Sequence, residues 1–289
     1  MLTHLRKLRR LLHLEDVDFL GPVAKAILVI TGLSERARQN SLDVRLTEIS
    51  LYFPRLPAAF DGYRILHVSD LHLNGMPELA PILARLLQGI EADVAVFTGD
   101  FHLRFRKDVA ETSDLTRKIL RHLNAPDGLF AVRGNHDVPE LLPRLAGMGL
   151  EFLHNRAVPI RRGEAEIWLA GVDDPYHYEA ADLQRALADI PTGGFVVLLA
   201  HTPELFREAA KAGVDLYLCG HTHGGQVSLP RVGPLFLNAR APRRVGSGLW
   251  REGQTLGYTS RGVGSTSVPL RFGCPPEVTL LHLRRSSGQ

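Results

Sequence analysis

From Asp43 onward, apolar runs alternate with amphipathic stretches, and nearly every apolar run stops at an acid, an amide or a histidine. DVRLTEISLYF (43–53) alternates apolar and polar positions with one phase shift, the pattern of a half-buried strand. After the PRLP turn, RILHVSD (64–70) is a short β-rich run ending in Asp70. PELAPILARLLQGI (77–90) follows with helical periodicity and Pro77 near its start. DVAVFTGD (93–100) is a second buried strand ending in an acid, and DVAETSDLTRKILRHL (108–123) a second amphipathic helix. DGLFAVRGNHD, EIWLAGVDD, FVVLLAHTPE and VDLYLCGHTHGG repeat the scheme. Strands alternating with helices predict an α/β fold, in which ligands sit beyond the strand ends where loops converge.

The first 40 residues differ from this body and are read as a helical arm, with residues 41–289 as one domain. Leucines 2, 5, 8 and 12 recur at helical spacing, and Arg6, Lys7, Arg9 and Arg10 fill positions between them. That is a basic amphipathic helix, the pattern of a segment lying in a membrane interface. FLGPVAKAILVITGL (19–33) is apolar but interrupted by Pro22 and Lys25, and it falls short of the roughly 20 apolar residues that a spanning helix needs. Glu15, Asp16 and Asp18 precede it and no small-x-small cleavage site follows, which argues against a removable secretory signal. Two readings of residues 1–33 stand: peripheral attachment to a membrane, or a helical hairpin packed on the body or on another subunit.

Composition narrows the classes. With 289 residues, 45% hydrophobic and 22% charged, the chain can bury a sizeable core, and no composition break divides it. The net charge of +3 is concentrated at the two ends, and the centre lacks basic residues clustered with aromatics, so nucleic acid is not an expected partner. Cys219 and Cys274 are the only cysteines, too few for a disulfide framework, and read as small buried hydrophobes.

The polar strand ends carry the chemistry: Asp70 and His72, Asp100, Asn135 with His136 and Asp137, His201, then His221 and His223. In an extended segment, residues two apart point to one side, so His221 and His223 can face a common point. Taken singly, each residue has a plain alternative, since an aspartate after a strand also caps helices and a lone histidine is commonly a satisfied core group. As an ordered set, mixed carboxylate, amide and imidazole donors suit first-row divalent metals, with manganese, iron and zinc served alike.

SDLH (69–72), TGD (98–100), GNHD (134–137), LAHTP (199–203) and GHTHGGQ (220–226) together resemble the calcineurin-like metallophosphoesterases over roughly residues 60–285. The late SRGVGSTSVPLRFGCPPEV (260–278) is similar to the YkuE/YaeI-type subgroup, small bacterial phosphodiesterases often tied to membranes. The resemblance implies a four-layer αββα sandwich and two divalent ions. Asp70, His72 and His223 would hold the first ion, Asp100 would bridge, and Asn135, His201 and His221 would hold the second. It further implies in-line attack on a phosphodiester or pyrophosphate by a bridging hydroxide. His136 would meet the substrate phosphate and Asp137 would orient it. One departure is GDFHLR, where Leu103 stands at the position of a further acid in protein-phosphatase relatives, which argues against that activity.

Several residues keep two readings. His102 is an additional site histidine or a polar residue on the loop leaving its strand. Asp173 and Asp174 are partners of a metal-bound histidine or an Asx turn before Pro175. Arg261 and Arg271 grip a phosphate or lie on the surface. The expected substrate is lipid-linked or a sugar nucleotide similar to UDP-2,3-diacylglucosamine, which would place the protein in the cytoplasm or at the inner membrane. The alternatives are a nucleotide or glycerophosphodiester substrate, and a metal-binding module without catalysis.

Overall fold

The computed structural model describes residues 20–103, 108–266 and 268–286, so the basic stretch at 1–14 lies outside the described residues. Two helices come first, α1 (Leu20–Ile30) and α2 (Ser34–Leu42). No helix among the described residues is long and apolar enough to cross a membrane.

The strands in chain order are β1 (Arg45–Phe53), β2 (Arg64–Val68), β3 (Val94–Phe97), β4 (Leu129–Ala131), β5 (Leu150–Phe152), β6 (Arg156–Arg162) and β7 (Ala165–Gly171). There follow β8 (Val196–Leu199), β9 (Leu216–Cys219), β10 (Ser228–Leu229), β11 (Gly233–Pro234), β12 (Gly248–Glu252), β13 (Thr255–Thr259) and β14 (Glu277–Arg285). One six-stranded sheet has the order β1-β14-β2-β3-β4-β5, the other β12-β13-β9-β8-β7-β6, and β10-β11 form a separate hairpin. Within the first sheet β2 to β5 run parallel, and within the second β7, β8, β9 and β13 do. Parallel strands buried on both faces explain the near-continuous apolar runs VAVF and VVLL.

The two sheets face each other across Leu51, Ile65, Val96, Leu169, Val197 and Leu218. On the outer face of the first sheet lie α3 (Leu79–Leu87), α4 (Val109–Leu120) and α5 (Leu142–Ala146), through Leu83, Ile119 and Leu145. On the outer face of the second lie α6 (Leu183–Leu187) and α7 (Phe206–Lys211), through Ala186, Phe206 and Ala209. The expected four-layer αββα order is thus present. Asp108 caps α4, its side chain accepting the Glu111 amide at 2.8 Å.

The periodicity did not single out β5, β6 or any of β10 to β14. β5 has three residues, too few to show a period, and β6 carries Pro159, which is tolerated because β6 is an edge strand. Cys219 and Cys274 are free and buried.

Candidate metal centre

Five loops leave the carboxyl ends of parallel strands and converge. Asp70 and His72 follow β2, Asp100 follows β3, Asn135 to Asp137 follow β4, His201 follows β8, and His221 and His223 follow β9. The loops turn abruptly. Asp70, His72, Asp100, His221 and His223 all have positive φ, between 43° and 71°, a region that non-glycine residues rarely occupy. Strain of this kind persists only where the surroundings over-determine it, and it concentrates at functional sites. Close approach demands glycine at two points: a methyl group at Gly134 would overlap the Asp100 carboxylate, and one at Gly220 would overlap Ser69 and Asp70.

The expectation that His221 and His223 share a side because the segment is extended does not hold. With left-handed backbone at both and Thr222 at φ −76°, ψ −16°, the segment coils, and the two rings serve different clusters. Asp70, His72 and His223 form one buried triad, and Asp100, His201 and His221 the other, ligand atoms within each lying inside 4.8 Å of one another. Asp100 Oδ2 lies 3.6 Å from His72 Nε2 and 3.4 Å from His201 Nε2, between the triads. Asn135 Oδ1 is 2.9 Å from His201 Nε2.

Hydrogen bonds on the outer ring nitrogens decide what the inner ones offer. His72 Nδ1 faces the His102 carbonyl at 3.0 Å, His201 Nδ1 the Thr98 carbonyl at 2.7 Å, and His223 Nδ1 the Gly264 carbonyl at 3.3 Å. A carbonyl only accepts, so Nδ1 of His72 and of His201 carries a proton and the Nε2 of each faces inward, whereas His223 Nδ1 is shared between the Gly264 carbonyl and the Arg271 guanidinium, also at 3.3 Å. His72 Nε2 and His223 Nε2 are then 3.2 Å apart, and His221 Nδ1 is 3.1 Å from His201 Nε2. Imidazole nitrogens this close to one another and to the Asp70 and Asp100 carboxylates make a mixed donor set that fits two divalent ions.

The local field leads to the same conclusion. Burial opposes ionisation of Asp100, but His201, His136 and His72 outweigh it and hold the carboxyl well below its usual range. Burial, reinforced by His201, pushes His221 down to about 3, and burial with His72 and Arg271 lowers His223 as well. His201 moves the other way: burial works against its charge, yet the Asp100 carboxylate raises it to about 10, which marks a place where positive charge is favoured. Burial raises Asp70.

The neighbouring residues fall into place around this centre. His136 is half-buried, its ring perpendicular to His72 at 5.1 Å between centroids, and its amide donates to Asp100 Oδ1 at 2.8 Å. The Asp137 oxygens accept the amides of Asp100, Phe101, His102 and Gly134, tying two loops together. His102 lies on the loop leaving β3 and is buried there, and its carbonyl fixes His72. Leu103 is buried, and its backbone is bonded both ways by Asn74. Asp174 makes the expected turn, accepting the His177 and Tyr178 amides at 2.5 and 2.6 Å, and Asp173 Oδ1 accepts the Asp174 amide. Tyr178 then donates to the Asn135 carbonyl at 3.2 Å.

Neither late arginine projects from the surface. Arg271 is fully buried behind His223, donating to the carbonyls of His223, Arg261 and Gly264, and Arg261 is ion-paired with buried Glu277. Sequence reasoning missed Asn74, Thr98 and Tyr178. Asn74 sits two residues beyond His72 in a strand-end loop, and its position was the one available signal.

Four similarities bear on this geometry. A family model described as calcineurin-like phosphoesterase matches residues 63–225. The chain is 30% identical over 253 residues to the uncharacterized metallophosphoesterase YkuE of Bacillus subtilis, covering 84% of this chain and 87% of that one. It is 33% identical over 230 residues to the phosphodiesterase YaeI of Escherichia coli, covering 76% and 82%. It is also 26% identical over 301 residues to the UDP-2,3-diacylglucosamine pyrophosphatase LpxG of Chlamydia trachomatis, covering 82% and 88%.

Proposed function

Because the chain belongs to the calcineurin-like phosphoesterase family, whose members are metal-dependent, we propose that it hydrolyses phosphodiester or pyrophosphate bonds at two divalent cations, on a lipid-linked or sugar-nucleotide substrate. The observation that carries this reading is the position of Asp100 Oδ2 between His72 and His201, one carboxylate oxygen offered to both triads. Asp70, His72 and His223 would hold one cation, Asn135, His201 and His221 the other. When bound, the pair supplies Lewis acidity, neutralising phosphoryl oxygens and lowering the pKa of water toward neutrality.

The chain's own residues do the rest. The ligand rings are buried whereas His136 is half-open, so His136 is the imidazole that can reach a phosphate from the solvent side, to donate a hydrogen bond to its oxygen or a proton to the leaving group. The hydrogen bond from the His136 amide to Asp100 Oδ1 sets that ring's distance from the centre. Asp137 holds the Asp100 and Gly134 loops in register. Support for a lipid-bearing substrate comes from LpxG, named for a diacylated one, and from exposed apolar residues on α1 within the proposed arm of residues 1–40.

The test combines elemental analysis with turnover after reloading with manganese, iron or zinc. The substrates are a chromogenic diester, a cyclic nucleotide, a glycerophosphodiester and UDP-2,3-diacylglucosamine. Two metal equivalents with fastest turnover of the diacylated pyrophosphate is the expected result. Faster turnover of a nucleotide or glycerophosphodiester would replace the substrate class, and a metal-replete protein inert toward all four would end the hydrolase reading.

A further inference from the structure

Most exposed apolar side chains on a folded surface are scattered and need no explanation. Here they are not scattered. Of the eleven large hydrophobic residues exposed among the described ones, five lie between Val23 and Leu33 and four are Leu229, Val232, Leu235 and Phe236. Those four belong to one hairpin, β10-β11, with its flanking residues. The hairpin is held rigidly outward: Ser228 pairs with Pro234 and Leu229 with Gly233, and the Arg243 guanidinium donates to the Pro234 carbonyl. Val232 is 64% exposed and Phe236 59%, so the structure buries neither against the protein.

Charge accompanies the apolar surface. No acidic residue occurs from Leu216 to Arg251, a stretch carrying five arginines; Arg240 and Arg244 are ion-paired with Glu179 and Glu252, while Arg231 sits on the hairpin turn itself. Apolar side chains interleaved with cations are the chemistry of a surface that enters the headgroup region of an anionic bilayer.

Position supplies the remaining argument. The hairpin leaves the chain directly after His223 and Gly225, and the Phe236 backbone packs on Gly225. Its base is tied to residue 272 by Ser228 N–H to the Phe272 carbonyl at 2.8 Å and Phe272 N–H to the Gln226 carbonyl at 3.0 Å. The adjacent carbonyl, that of Arg271, accepts Asn40 Nδ2 at 2.8 Å, which anchors α2 and hence the apolar α1. Both exposed apolar segments therefore spring from one strut beside the candidate metal centre.

We propose that the β10-β11 hairpin docks on an anionic membrane surface and presents the metal centre to substrates embedded there, which deepens and rests on the hydrolase reading above. The test uses the full chain, and vesicles of phosphatidylcholine with or without one quarter phosphatidylglycerol. Wild type should float with the anionic vesicles and release as salt rises. V232E/F236E should bind them at least about tenfold more weakly, since it removes apolar insertion and adds repulsion, and its turnover of the soluble chromogenic diester should match wild type. As a check independent of that variant's folding, an environment-sensitive dye on Val232→Cys should shift its emission to the blue on adding anionic vesicles.

Wild type that ignores vesicles, a double variant that floats equally well, or an unshifted dye would overturn the proposal. So would light scattering showing a dimer that the double variant dissolves while vesicles have no effect, which would make a second copy the occupant. Loss of diester turnover in wild type with flotation intact would instead remove the hydrolase reading and leave the docking in place.

Discussion

Asp137 accepts the backbone amide of Asp100 at 2.8 Å through one carboxylate oxygen, while its other oxygen takes the amides of Phe101 and His102. The residue that follows His136 in sequence thus acts on the strand-end loop of a different strand. Asp100 owes its position between the triads to this contact, together with the left-handed backbone at its own φ of 58°.

Asp137→Asn keeps the shape but replaces an accepting oxygen by a donating amide, so it faces N–H groups with N–H groups. Outer-shell changes of this kind typically cost about 10- to 100-fold in metal affinity or activity. Isothermal titration with manganese and diester turnover should both fall in that range, and unchanged values would show that the Asp100 loop holds itself.

Asp100→Asn removes the shared carboxylate oxygen. We expect metal content to fall below two equivalents and turnover to drop by about a thousandfold or more, as loss of several kcal/mol of charge stabilisation requires. Elemental analysis beside the kinetics separates this from misfolding.

Chelation should lower thermal stability as well as activity. Each triad packs buried imidazole and carboxylate ligands against one another, an arrangement that a bound cation holds together. A ligand at a hundred times its Kd contributes about 2.7 kcal/mol per site to the folded state, so the melting temperature should fall by several degrees on chelation and recover on adding back one of the three metals.

Arg271→Met leaves the Arg261 carbonyl without its donor and removes one of the donors that the His223 and Gly264 carbonyls share. Unsatisfied buried groups cost about 1–3 kcal/mol each, so urea unfolding should show a loss of at least about 2 kcal/mol, with weakened metal binding because the His223 loop is no longer held.

His67 supplies a pH dependence. It is buried, with Nε2 on Thr98 at 2.8 Å, and burial lowers its imidazole to about 3. The folded value lies below the ordinary one, so the unfolded chain takes the proton first and stability is lost as pH falls below about 6.5. Between pH 7 and 5 this amounts to about 2 kcal/mol. His67→Gln should flatten the wild-type acid loss by that amount in urea titrations at the two pH values, and an unaltered slope would assign the loss elsewhere.

How much of this was readable beforehand differs by residue. Apolar runs ending at Asp70, Asp100, His201 and Cys219 were plain in the sequence because parallel strands covered on both sides must be continuously apolar, and their polar stops must lie at the ends. The edge strand β6 was obscured by its proline and by solvent on one side. Arg271 was misjudged for a physical reason: a long cation after a glycine-rich stretch reads as surface or phosphate grip, and only the converging carbonyls make full burial tolerable.

By itself the sequence determined the strand-and-helix alternation, the donor types at each strand end and the motif order, because these depend on side-chain chemistry and on periods of two and 3.6 along the chain. The partition of those donors was implied by the family resemblance, but its physical cause lies in the tertiary structure. Whether His221 joins His223 or leaves it depends on backbone handedness at both, and Asp100 stands between the triads because Asp137, 37 residues away, accepts its amide. The first is set where loops of the two sheets meet and the second by the pairing of β3 with β4 within one sheet, neither of which a local pattern encodes.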